Sequence, residues 1–227
     1  MIRAKSCTVH LDRKTRGGGI STGSCELWHR KLNARFLRRF AVKIELQKWL
    51  RQDKHALIKI CNSVERTYLS NRLPNPYTEE SADWWLEMVA ENDGKTGIFR
   101  KIIADGEIVG NISVEKKSDV YSCDSEIGYF ILSEKYSKGI MTEAVRQICA
   151  LAFSTLDITR ITGLVYEPNV ASRKVLEKND FVLEGVMKNA VTKNGKIYDL
   201  CVYGKIKQSN EKRQSISEFS FAKKIFY

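Results

Sequence analysis

The sequence predicts a mixed α/β domain in which helices alternate with the strands of one sheet. Three observations carry this. Period-2 apolar alternation and helical periodicity take turns along residues 41–206, with no internal repeat. Two dipeptides, Asp105-Gly106 and Asn194-Gly195, stand between strand-like runs where two-residue hairpin turns belong. Hydrophobic residues make up 43% of the chain against 29% charged, which suits a packed core and excludes a wholly disordered chain.

The elements follow in order. Residues 41–46 alternate Val42, Ile44 and Leu46 as a first strand, and Leu57, Ile60, Cys61 and Val64 line one face of a helix over 53–64. Pro74 and Pro76 break the chain. Thr78 then caps a helix with Glu79 and Glu80 in its first turn, where carboxylates favour the helix dipole. Strands over 97–104 and 108–115 form a hairpin, and a strand over 123–132 follows. A helix over 141–156 buries Val145, Ile148, Cys149, Ala152 and Phe153. Next comes a strand over 158–166, and Asn169 caps a short helix ending at Lys178. Strands over 181–187 and 197–206 close the domain as a second hairpin.

The net charge of +11 suggests nucleic acid until it is located. Residues 1–40 carry +8, residues 205–227 carry +4, and residues 41–204 carry −1. The core therefore has no electrostatic reason to grip phosphate backbones. The chain divides into a basic extension over 1–40, a domain over 41–206 and a basic tail over 207–227. Most of the extension reads as disordered, but Leu27, Trp28, Leu32, Phe36, Leu37 and Phe40 recur at helical spacing, an amphipathic helix over 26–40. That helix is open to several readings: packing on the core, residues ahead of the natural start, a ribosome, RNA or membrane-surface contact, or a transit segment. Cys7, His10, Cys25 and His29 hold two Cys-His spacings, yet nothing apolar surrounds Cys7, so no metal site is expected. The longest apolar run, 148–153, is far below the roughly 18 residues of a membrane span, and no secretory signal precedes it. A cytoplasmic protein with six scattered, reduced cysteines is expected.

The chemistry concentrates after the strand over 123–132. A polar turn carrying Lys138 and Gly139 leads at once into a helix, whose unpaired N–H groups and positive dipole end suit a phosphate. It is not a P-loop, because the two-glycine frame and the hydroxyl after the lysine are missing. Four blocks then stand in a recognisable order: Glu126 to Ile131, Lys138 to Ala144, Glu167-Pro168-Asn169 with Ser172, and Glu177-Lys178 with Phe181. A run continues through Leu183-Glu184-Gly185, Met187-Lys188, Asn194-Gly195 and Asp199.

Over residues 41–206 this pattern resembles the GNAT acetyltransferase superfamily, in its branch of RimJ/RimL-type ribosomal-protein N-terminal acetyltransferases. The resemblance implies a mixed, mostly antiparallel sheet, splayed between its fourth and fifth strands to admit acetyl-CoA and flanked by helices. It implies that the backbone of Tyr129, Phe130 and Ile131 pairs with the pantetheine, with an N–H near Phe130 as oxyanion donor. The N–H groups of Ser137, Lys138, Gly139, Ile140, Met141 and Thr142 would cradle the pyrophosphate. Asn169 would hold the pantetheine arm, and Ser172 would stand near the thioester sulfur as a proton donor. Read without the resemblance, Asn169 is a plain helix cap and Ser172 a solvent-facing helical residue.

The sequence departs from that pattern at four places. Ser137 replaces the loop's first glycine; serine can stay in the right-handed or extended region. Asp180 replaces a glycine and tolerates left-handed geometry. Leu176 stands where the superfamily has an acidic tyrosine. Val191 stands where this branch has its carboxylate base. Glu126 is then the remaining candidate base, acting through a water, unless it merely pairs with a basic residue or fixes a substrate. The activity implied is transfer of acetyl from acetyl-CoA to a primary amine, foremost a protein N-terminal α-amine. A small amine such as an antibiotic or polyamine, or a non-catalytic CoA-binding module, is the alternative. A monomer or homodimer with ribosome or RNA contact through its tails is expected.

Overall fold

The computed structural model describes residues 42–208, so the helix expected over 26–40, the four candidate zinc ligands and most of the basic tail lie outside the described residues. Strand β1 (Ile44–Gln47) leads through a 3-10 turn into helix α1 (Lys54–Ser63), and α2 (Glu79–Asn92) follows. Thr78 caps α2 by accepting the Ser81 N–H. Strands β2 (Gly97–Ala104), β3 (Glu107–Lys116) and β4 (Ser125–Ile131) precede α3 (Ile140–Thr155). Then come β5 (Arg160–Tyr166), α4 (Val170–Glu177), β6 (Val182–Lys193) and β7 (Lys196–Ile206).

The seven strands form one sheet in the order β1-β2-β3-β4-β5-β7-β6, antiparallel except for the β4–β5 pair. Both hairpin dipeptides turn as predicted. Asp105 and Gly106 have φ of 50° and 86°, and Asn194 and Gly195 have φ of 50° and 73°. Positive φ at both central residues matches the right-handed twist of the flanking strands.

Two hydrophobic clusters sandwich the sheet. On the back face Ile98, Ile112, Val114 and Ile127 meet Ala144, Val145 and Ile148 of α3 and Leu176 of α4. On the front face Trp49 and Phe99 pack with Leu57 and Ile60 of α1 and with Leu86 and Val89 of α2. Trp49 donates its indole N–H to Asn111 Oδ1 at 2.9 Å, and Lys101 is buried against Asp53 at 2.7 Å.

Two expectations need correction. The first strand is shifted toward the C terminus of its predicted range. Strand β6 runs to Lys193 instead of stopping at 187. The polar residues Lys188 to Lys193 disguised it, and it tolerates them because it is an exposed edge strand with register shifts at 183/185 and 187/191.

Candidate active site

The β4–β5 pair is where the sheet opens. Only Glu126 and Thr162 are in register. Below them the two strands are clamped. The Cys123 carbonyl accepts the N–H groups of Thr159 and Arg160 at 2.9 and 3.2 Å. Thr162 Oγ1 lies 2.9 Å from both oxygens of the buried Asp124, and Lys117 Nζ reaches the same carboxylate at 2.6 Å. Arg160 bridges from β5 across β7 to Glu184, passing over Gly204, where a Cβ would collide with both partners. Above Glu126 and Thr162 no such ties exist among the described residues, and the strand pairing does not continue along Gly128–Ile131 and Leu164–Tyr166.

The register decides which backbone groups face that gap. Leu132 N–H bonds the Val109 carbonyl, and the β3–β4 ladder is unbroken. Alternation then directs the peptide groups of Phe130 and Gly128 to β3 and those of Tyr129 and Ile131 to the gap. The peptide groups of Phe130 are thus engaged by β3, and those of Tyr129 and Ile131 are the ones left facing the gap. The Tyr129 side chain turns to the back face, where its hydroxyl donates to the Ser172 carbonyl at 3.3 Å; burial pushes its phenol above its usual range.

The loop into α3 is built on left-handed backbone. Ser137 has φ 60° and Gly139 has φ 75°, with Lys138 between them at negative φ. Alternating signs of φ gather successive N–H groups on one side, the concave geometry that binds anions. The N-cap residue is Gly139, and the first helical N–H to find a carbonyl is that of Glu143, on Gly139 O at 3.1 Å. Among the described residues nothing takes up the N–H groups of Ile140, Met141 or Thr142. The side chains of Ile140 and Met141 point into the core, so only their backbone can serve a ligand. A Cβ on Gly139 would meet nothing within 4 Å, so the loop's outer side is open to a group from elsewhere. Glu143, in the first turn, would oppose an anion. Arg146 and Gln147 bond it, and the guanidinium above all holds its carboxyl down at about 2 against partial burial.

Ser137 contradicts the expectation of right-handed or extended backbone. Its hydroxyl has no partner among the described residues that would offset the left-handed cost. Ser137→Gly should therefore raise Tm by roughly 1–4 °C and leave acetyl-CoA affinity equal or tighter, as read by calorimetric melting with and without acetyl-CoA. Asp180, at φ 62°, takes the left-handed place as expected.

On α4, Asn169 Oδ1 accepts the Ser172 N–H at 3.2 Å, so Asn169 is a helix cap. Its amide NH2 and the Ser172 hydroxyl have no partner among the described residues. Asn179, to which the sequence assigned no role, ties the end of α4 to the Thr142 carbonyl at 3.0 Å. Leu176 is 1% exposed, and its Cδ1 would lie 2.7 Å from a Cβ on Gly163. This position therefore points into the core beneath β5. Leu176→Tyr should overpack it, costing about 1–3 kcal/mol, and leave kcat no higher. A rise in kcat would show that position 176 reaches the reacting atoms.

Glu126 is exposed on the front face, and among the described residues no Lys or Arg lies within 4 Å of it. It stands directly opposite Glu115 of β3, whose carboxylate accepts the Ser113 hydroxyl at 3.0 Å. Val191 lies on β6 opposite Tyr198, three strands from β4. No group of three or more His, Cys, Asp or Glu able to hold a metal occurs among the described residues, and no helix there is long and apolar enough to cross a membrane.

The chain thus presents one parallel strand pair that meets at a single register position and, one loop later, a helix start with unpaired N–H groups. Residues 43–182 match the family described as "Acetyltransferase (GNAT) domain". Over 135 residues the chain is 32% identical to "Putative ribosomal N-acetyltransferase YdaF" of Bacillus subtilis (strain 168), covering 60% of this chain and 72% of that one. Two solved structures share the fold. RimL, an alpha-N-protein acetyltransferase in complex with coenzyme A, has TM-score 0.65 and 22% identity, covering 72% of this chain and 93% of that one. Mycobacterium smegmatis RimJ, in complex with a CoA-disulfide, has TM-score 0.62 and 21% identity, covering 77% and 89%. The chain belongs to the GNAT acetyltransferase family and is an acetyl-CoA-dependent N-acetyltransferase.

Proposed function

We propose that the chain acetylates an α-amine, in the first place that of a protein N terminus, with Glu126 as the proton acceptor. The observation that carries this is an exposed carboxylate with no cationic partner among the described residues, next to the one place where the sheet opens. Acetyl-CoA supplies an activated thioester. The loop over 137–142 and the gap-facing peptides of Tyr129 and Ile131 would hold the cofactor so that its carbonyl meets an N–H donor, and the Asn169 amide would take the pantetheine arm. The amine nitrogen bonds to the carbonyl carbon as the C–S bond breaks. Its proton passes through a water to Glu126, and the Ser172 hydroxyl donates toward the departing thiolate.

Residues 41–206 would form the catalytic domain of a cytoplasmic monomer or homodimer, and the basic segments 1–40 and 207–227 would make any ribosome contact. The test is steady-state CoA release with peptide N termini, free amino acids, polyamines and aminoglycosides as acceptors, with products read by mass spectrometry. Acetylated peptide N termini support the reading. Acetyl-CoA binding without turnover of any amine would leave a CoA-binding module instead.

A further inference from the structure

Beyond the gap, the front face carries a cluster that the reaction so far described does not use. Tyr166 ends β5, Tyr198 lies on β7, and Tyr68 stands in the loop between α1 and α2. Their ring centroids are 5.8 Å apart for Tyr68–Tyr166, 6.5 Å for Tyr68–Tyr198 and 5.7 Å for Tyr166–Tyr198. All three are half-buried, and none of their hydroxyls has a hydrogen-bond partner among the described residues. Counting four residues on from the Glu126–Thr162 pair sets Tyr166 level with Phe130, beside the stretch whose neighbours face the gap. An acceptor held at that level would lie against these rings.

Lys193 closes the far side. Val191 is the cross-strand partner of Tyr198, and Lys193 follows two residues later on the same face of β6. Lys193 is only 8% exposed. Its ammonium donates to Asn71 Oδ1 at 2.7 Å, from the same loop that carries Tyr68. No carboxylate lies within 4 Å of it among the described residues. A buried ammonium ordinarily has a carboxylate partner, because an amide oxygen engages one of its three donors and returns little of the cost of leaving water. Strapping the loop requires only a donor, so the charge itself is left over on the acceptor side.

We infer that Lys193 and the three tyrosines form a subsite for a carboxylate carried close to the acceptor amine. This rests on the N-acetyltransferase reading and narrows its substrate. Two sources supply such chemistry: the α-carboxylate of a free amino acid, or an acidic side chain at the second residue of a peptide. The phenol hydroxyls add donors to the carboxylate, and the rings take the apolar part of the acceptor.

Binding of acetylated products tests the subsite without turnover. Calorimetry on the full chain saturated with CoA compares N-acetylleucine with N-acetylleucinamide, and acetyl-Ser-Glu-Leu-amide with acetyl-Ser-Gln-Leu-amide. At least one carboxylate should bind roughly 10- to 100-fold tighter than its amide, and the arm that responds identifies the source. Lys193→Gln should erase the preference, and Lys193→Arg should keep part of it, with CoA affinity unchanged in both. Asn71→Asp hands Lys193 a partner at an exposed position, should fold normally, and should erase the preference too. Equal binding of carboxylate and amide in both arms, or a preference that survives Asn71→Asp or a folded Lys193→Gln, overturns the subsite. Failure of the transferase reading appears separately, as absent CoA release from every amine.

Discussion

Gly139→Asp is expected to abolish acetyl-CoA binding and leave the fold standing. A side chain fits there sterically, since nothing lies within 4 Å of the Cβ position. The backbone at φ 75° is left-handed, which costs most residues about 1–2 kcal/mol and aspartate less than most. The residue also caps α3, a position aspartate favours, so part of that strain is offset. What the substitution cannot offset is its charge, set among N–H groups that would otherwise meet a diphosphate. In the wild type, acetyl-CoA at 100 times its Kd should add about 2.7 kcal/mol of stability, a Tm rise of roughly 5–11 °C for a chain of this size. Gly139→Asp should melt within a few degrees of the wild type without ligand and show no rise with it. Gly139→Ala carries the strain without the charge and should fall between. A full ligand-induced rise in the aspartate variant would sink the assignment of this loop.

Much of the sheet was legible because its determinants are local. The 97–104 strand and both hairpin turns follow from the two Xaa-Gly dipeptides and the strand-like runs beside them, and α3 follows from its apolar stripe. The family blocks likewise lie within short stretches, so Glu126, the 137–142 loop and Asn169 could be singled out from residue order alone. What could not be read depends on contacts distant in sequence. Nothing in the residues around 68, 166 or 198 announces that a loop and two strand faces converge. The clamp of Asp124, Thr162, Arg160 and Glu184 is equally nonlocal, and it is what confines the opening to the upper half of β4 and β5. Ser137 was misjudged because serine has low-energy alternatives to left-handed backbone. The loop's place between the end of β4 and a buried Ile140 overrides that local preference. The direction of the Leu176 side chain is nonlocal too. Residue order matches it to a tyrosine's place, whereas packing beneath Gly163 turns it inward.

Glu126→Gln should lower kcat by roughly 10²–10⁴-fold, the usual worth of a positioned general base, with little change in acetyl-CoA affinity. Glutamine keeps the size and hydrogen-bonding reach of the side chain and removes its capacity to take a proton. A merely structural Glu126 would need a partner to lose, and among the described residues it has no cation within 4 Å. Its nearest charged neighbour across the ladder is Glu115, and like charges directly opposite one another destabilise a sheet. Removing one of them should therefore leave Tm unchanged or slightly raised, the opposite of what the loss of a structural ion pair would do. Glu115→Gln supplies the control. Glu115 faces the same side and carries the same charge, but its carboxylate is bonded to Ser113, so this variant should lose far less activity. If both variants lost activity equally, the two carboxylates would be attracting the amine by charge, and no single one would be the base. CoA release with one accepted amine, measured for the wild type and both variants alongside their melting curves, separates these outcomes. Wild-type turnover in Glu126→Gln would mean that the reaction proceeds by positioning and solvent alone.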